Sequence, residues 1–276
     1  MIKNIILGFC IAIYGHCFAQ ANALPSCYNS KIVESTKIPS IEMFILIDQT
    51  TPLDTQLKQQ IADQTRPFLT YGNAINLIVF SSFNQGKYTR VIATARIEHR
   101  LADNVRADIS KPLLARFDDC MQNQPRYASQ VVGAALKFAF DGTNSELARS
   151  DIFSSLKEIS RMVSASMAPQ RIVLIASDML ENSSITSFYQ NQAVRLIDPD
   201  QELATVVKSE GFAEFSNARV YVIGAGLIPE ESKNGKGLYR DPKTMQALSV
   251  FWSQYFKKSN GQLVEFGKPS LLNTIR

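Results

Sequence analysis

Three short apolar runs constrain what this chain can fold into. Ile41–Ile47 (IEMFILI), Arg171–Ala176 (RIVLIA) and Arg219–Ile223 (RVYVI) are almost continuous in aliphatic and aromatic residues. A strand half exposed to water alternates apolar and polar residues, whereas a run without alternation fits a strand covered on both faces. Between the runs the period changes. Leu53, Leu57 and Ile61 recur every fourth position, as on an amphipathic helix. Ile152, Leu156, Ile159 and Val163 mark a second helix behind the capping pair Ser150-Asp151, Gln201–Phe215 a third, and Met245, Leu248, Trp252 and Tyr255 the last.

Ala74–Ser81 (AINLIVFS) and Leu263–Phe266 read as further strands. Tyr88–Ile97 alternates more and follows a glycine-containing turn, which suits an antiparallel edge strand. Strands alternating with helices imply an α/β fold. The expectation is a three-layer, doubly wound, mostly parallel six-stranded sheet with one antiparallel edge strand. Glu98–Gln130 is polar, carries Pro112, Cys120 and Pro125, and reads as an insertion around 98–130 with some helix; Val131–Phe140 continues as helix up to the break at Asp141-Gly142-Thr143-Asn144. The domain proper is expected over 40–276, preceded by a segment at 24–39.

Residues 1–23 have the layout of a secretory signal peptide. Lys3 precedes an apolar stretch, Ile5–Tyr14, and Ala19-Gln20-Ala21 and Ala21-Asn22-Ala23 are small-x-small cleavage patterns. The apolar stretch falls short of the roughly 20 residues a bilayer span needs. A periplasmic or secreted location follows, with no membrane insertion once the signal is removed. Cys10 and Cys17 would leave with it, and Cys27 and Cys120 remain. Two cysteines in an oxidising compartment can pair as a disulfide; two buried free thiols are the alternative.

The net charge of +4 is spread without a basic block, so nucleic acid is not an expected partner. Beyond the signal there is one histidine, His99, in the polar stretch after the edge strand, which leaves no basis for a Ser-His-Asp or Cys-His site or a histidine-rich zinc site. No glycine-rich phosphate loop follows any strand. Parallel sheets gather their sites at the carboxyl ends of strands. There the chain offers Asp48 and Thr50, Ser177-Asp178, and Gly224-Ala225-Gly226. Asp48, Thr50, Ser150 and Asp178 can converge as an oxygen-only set, which suits a hard cation such as Mg²⁺. The same aspartates and serine also suit plain loop and helix capping.

At these residues the chain resembles the von Willebrand factor A family. That family carries a metal-ion-dependent adhesion motif, D-x-S-x-S, after its first strand, matched here by Asp48-Gln49-Thr50-Thr51-Pro52. A later family threonine matches Ser150, and the family's second aspartate matches Asp178 in Arg171–Ser183. Phe251-Trp252-Ser253-Gln254-Tyr255-Phe256 with Asn260-Gly261 is similar to the end of uncharacterised exported bacterial members. The resemblance, over residues 40 to 266, implies binding of a protein partner, with the metal bridging to it. Pro52 stands where the motif has its second serine, so Mg²⁺ would lack one hydroxyl ligand, with water or Thr51 in its place.

The expected function is therefore an exported protein-interaction module that is not an enzyme, with a degenerate Mg²⁺-dependent adhesion site. The alternatives are a metal-dependent hydrolase using Asp48 and Asp178, and a structural subunit of an envelope complex. Met179, Leu180, Ile185, Phe188 and Tyr189 are expected either on an amphipathic helix packed on the sheet or exposed to a partner.

Overall fold

The computed structural model describes residues 23–33, 38–84, 87–143, 150–190, 193–227 and 241–276. The signal-like residues 1–22 and Asn144 lie outside them. The three apolar runs form β1 (Ile41–Asp48), β4 (Gln170–Ala176) and β7 (Ala218–Ile223) at the centre of one six-stranded sheet. With β2 (Asn73–Asn84), β3 (Lys87–Arg96) and β8 (Gly261–Phe266), the order is β3-β2-β1-β4-β7-β8. Every neighbouring pair is parallel except β2 and β3, so β3 is the antiparallel edge expected from its alternation.

The central runs lack alternation because both their faces are covered. Phe44, Leu46, Val173, Ile175, Val220 and Val222 pack to one side, against α4 (Ile152–Ala165) and α6 (Pro242–Lys258). Met43, Ile45, Ile47, Ile172, Leu174 and Ile223 pack to the other, against α1 (Thr55–Thr65) and α3 (Lys111–Asp141). On the first side Phe153, Phe251, Trp252 and Tyr255 form an aromatic cluster, with the Phe153 and Trp252 ring centres 5.6 Å apart. The Trp252 indole N–H is not left unpaired in this core; it donates to the Met179 carbonyl at 2.9 Å.

Three segments differ from the sequence expectation. The insertion is mostly helix: after the short α2 (Asp103–Ala107), α3 runs 31 residues straight through Pro125. An internal proline costs a helix about 3 kcal/mol. Here Phe117, Met121, Gln124, Ala128, Val132, Leu136 and Ala139 keep one continuous buried stripe at spacings of three and four across it, and that packing outweighs the lost hydrogen bond. The helix expected over Gln201–Phe215 is α5 (Pro199–Lys208) and stops early. Glu210, Ser216 and Asn217 take positive φ beyond it, which turns the chain so that Phe215 enters the core.

Residues 177–190 form neither a helix nor an exposed apolar patch. Met179, Leu180 and Phe188 are buried, while Ile185 and Tyr189 are half-buried. The Met179 and Leu180 amides are taken by the side chains of Ser177 and Asp178, which sets a turn in place of a helical start. The segment is then a packed loop with a minimal hairpin, β5 (Tyr189–Gln190) and β6 (Ala193–Val194). Among the described residues no helix is long and apolar enough to cross a membrane.

Cys27 and Cys120 are joined, with Cα atoms 5.6 Å apart. The bridge fastens residues 23–33 to α3. Beside it the buried Glu98 carboxylate accepts from the Cys27 amide at 2.8 Å and from Gln124 Nε2 at 2.8 Å, and also from the Ser26 hydroxyl.

Candidate functional site at the ends of strands β1 and β4

The chain leaves the sheet toward opposite sides after β1 and β4, which lie side by side, the kind of switch point at which parallel sheets gather their sites. The register pairs Ile47 with Ala176, which brings Asp48 level with Ser177. Three of the four predicted residues meet here directly. The Asp48 side chain is fully buried. Its Oδ1 accepts from the Thr50 amide at 2.9 Å and the Thr50 hydroxyl at 2.7 Å. Its Oδ2 accepts from Ser150 Oγ at 3.1 Å and Ser177 Oγ at 2.7 Å.

Four donors match the roughly four acceptor positions of a carboxylate. Burial raises the Asp48 pKa above the usual aspartate value, and the hydrogen bonds from Thr50, Ser177 and Ser150 work against that rise.

Asp178 joins the site through its backbone. Its amide donates to Thr51 Oγ1 at 3.1 Å, its carbonyl accepts from the Gly226 amide at 2.8 Å, and its Oδ1 accepts from the Leu180 amide at 2.9 Å. Thr51 is thereby buried and occupied in tying β1 to β4. Gly224 has φ +95°, and a Cβ there would lie 3.2 Å from the Ser177 carbonyl. The predicted glycine-rich end of β7 is thus a close approach to the same loop. Pro52 is exposed, outside the buried cluster.

Two residues that shape this cluster were not singled out from the sequence. Ser177 was legible only as one of the polar residues ending the second apolar run. Its place on Asp48 depends on strand register. Glu181 carried no signal beyond a lone acid in an apolar loop. It is fully buried, and its Oε2 accepts from the Ile152 and Phe153 amides at 2.9 and 3.1 Å, at the start of α4. Burial pushes its pKa well above the glutamate value. The hydrogen bonds from the two amides oppose this, while the charge of Asp151 adds to it. With the Asn182 amide on the Ser150 carbonyl at 3.0 Å, Glu181 fastens the loop after β4 to the segment that carries Ser150.

The donor set is oxygen only, as hard cations require. The hydroxyls of Thr50 and Ser150 donate their protons to Asp48 and keep lone pairs. Among the described residues, no group of three or more histidine, cysteine, aspartate or glutamate side chains could hold a metal ion. A cation here would therefore rest on hydroxyls and water. His99 lies at the opposite end of the strands, just past the end of antiparallel β3 and beside the residues that lead into β1 and β2; its Nε2 is 2.9 Å from the Ile38 carbonyl.

No family model and no curated protein matches the chain. Among solved structures it is similar to an aerotolerance-related membrane protein from Bacteroides fragilis, studied with multiple mutations to serines. The identity is 13% and the TM-score 0.36, over 83% of this chain and 92% of that one.

Proposed function

We propose that this chain is a protein-interaction module of the von Willebrand factor A type that works outside the cytoplasm, and that it binds a partner without catalysing a reaction on it. The observation that carries this reading is the convergence of Thr50, Ser150 and Ser177, from three separate segments, on one buried aspartate at the strand ends. The arrangement orders loops and hydroxyls around a carboxylate that is itself fully buried, which suits a fixed binding scaffold. The Cys27–Cys120 bridge favours an oxidising compartment, in keeping with the signal-like start of the sequence.

Mg²⁺ fits the site only weakly. Thr50 and Ser150 would hold it through their hydroxyl oxygens. Asp48 would orient those hydroxyls, and Asp178 would act through water. The ion would supply a positive charge to a partner carboxylate. Mg²⁺ gives up water reluctantly and demands near-octahedral geometry, so a site with few charged ligands binds it poorly.

The test is capture of an envelope protein by the immobilised chain, repeated with EDTA and with a Thr50→Ala, Ser150→Ala double variant. A partner retained by the wild type and lost by the folded double variant is the expected result. Equal retention by both would remove this end of the sheet from consideration. EDTA sensitivity separates binding through the metal from binding without it.

A further inference from the structure

The last turn of the described chain is held in an unusual way. After Gly267, whose amide donates to the Val222 carbonyl at 2.9 Å, residues 268–276 run across α1 without forming helix or strand. Two glutamines one helical turn apart grip this segment. Gln60 Nε2 donates to the Leu271 carbonyl at 2.8 Å, and Gln60 Oε1 accepts from the Leu271 amide at 3.1 Å. Gln64 Nε2 donates to the Asn273 carbonyl at 3.0 Å, and Gln64 Oε1 accepts from the Ile275 amide at 2.8 Å. Each side-chain amide thus acts as a backbone amide does in a β-ladder, offering one donor and one acceptor to a neighbouring main chain. Between these hydrogen bonds Leu271 and Ile275 are buried in the core on the α1 side, while Leu272 is 92% exposed.

This is the layout of a peptide-recognition site. Main-chain hydrogen bonds supply affinity for a segment that follows this bent course, and two apolar sockets four residues apart supply selection. From it we infer that the α1 face is a docking site for a non-helical, bent peptide of the pattern Leu-x-x-x-Ile. The chain fills that site in cis with its own residues 270–276, and the site accepts the same segment from a second copy when the cis segment is released. The seated segment itself identifies the occupant. Tethering gives the cis segment a high effective concentration, so it acts as a built-in competitor. Exchange of an identical element between copies costs little, because the hydrogen bonds and apolar packing given up in cis are remade in trans. The site is separate from the Asp48 cluster and stands or falls apart from it.

The probe is a fluorescein-labelled peptide of residues 268–276, KPSLLNTIR. In the full chain, Leu271→Ala with Ile275→Ala loosens the cis segment and leaves the site intact. Fluorescence polarisation is expected to show saturable binding to this variant, at least about tenfold tighter than to the wild type, a difference of about 1.4 kcal/mol. Adding Gln60→Ala and Gln64→Ala should abolish it. A folded double variant that ignores the peptide, or a wild type that binds it as well, overturns the proposal. Should the variant fail to fold, amide hydrogen exchange on the wild type decides. The Leu271 and Ile275 amides should open well before those of β1 and β4. Exchange of all four only on global unfolding would make the segment a fixed part of the core and overturn the inference.

Discussion

Ser177 Oγ donates to Asp48 Oδ2 at 2.7 Å and accepts from the Met179 amide at 3.0 Å, so one hydroxyl joins the tips of the two central strands and starts the loop that follows. Both ends of this relay are buried. Ser177→Ala would remove a donor from a buried carboxylate and leave a buried amide unpaired. Hydrogen bonds to charged groups contribute about 1.5–3 kcal/mol, and an orphaned buried donor costs about 1–3 kcal/mol. A loss of about 2–3 kcal/mol is expected by urea denaturation. A loss below about 0.5 kcal/mol, the range of an ordinary surface change, would show that Ser177 does not hold this junction.

Glu181 makes stability depend on pH. Its folded pKa lies well above the 4.5 of the free side chain. As pH rises from 4.5, the unfolded chain loses this proton first and the folded chain keeps it, so the native state is stabilised below 4.5 and loses that advantage up to the folded value. Asp48, raised from 3.8, acts in the same direction. Glu181→Gln keeps a carbonyl for the Ile152 and Phe153 amides and removes the charge. The variant should gain on the wild type as pH goes from 5 to 8 in paired thermal melts. A stability difference that stays constant over that range would place the titration elsewhere.

The Cys27–Cys120 bridge closes a loop with a sequence separation of 93. Chain entropy sets the stabilisation at about 4–5 kcal/mol at most for a loop of that length. Thiol labelling of the unreduced, denatured protein should find neither Cys27 nor Cys120 reactive. Reduction should expose residues 23–33 to proteolysis, because Glu98, Ser26 and Gln124 lose the fastening beside them. Two labelled thiols would show that the bridge does not form.

Pro52 separates two accounts of the metal site. If the motif's second hydroxyl is what limits Mg²⁺ binding, Pro52→Ser should strengthen it. In the structure position 52 is exposed and Ser177 already brings a third hydroxyl to Asp48. Calorimetric titration is therefore expected to show weak binding in the wild type and no gain in Pro52→Ser. Asp48→Asn, which disturbs the orientation of Thr50 and Ser150, should remove what binding exists. Tight wild-type binding that survives Asp48→Asn would move the metal to another place in the molecule.

The layered sheet was legible in the sequence because its cause is local. Continuous apolar runs require cover on both faces, spacings of three and four require a helix, and strand ends in parallel order gather polar residues. Asp48, Thr50, Ser150 and Asp178 could be named on that basis, whereas the pairing of Cys27 with Cys120 was one of two readings, since two cysteines in an oxidising compartment can pair or stay free. Other features depend on partners far away in the chain. Ser177 reaches Asp48 across 129 residues, Glu181 reaches Ile152 across 29, and Gln60 reaches Leu271 across 211. No periodicity encodes such pairings, since they follow from register and packing. The same holds for Pro125 inside α3, where a local helix-breaking signal was outweighed by a buried stripe. It holds as well for Met179 to Phe188, whose apolar side chains entered the core from a loop because neighbouring polar side chains had already taken the backbone amides.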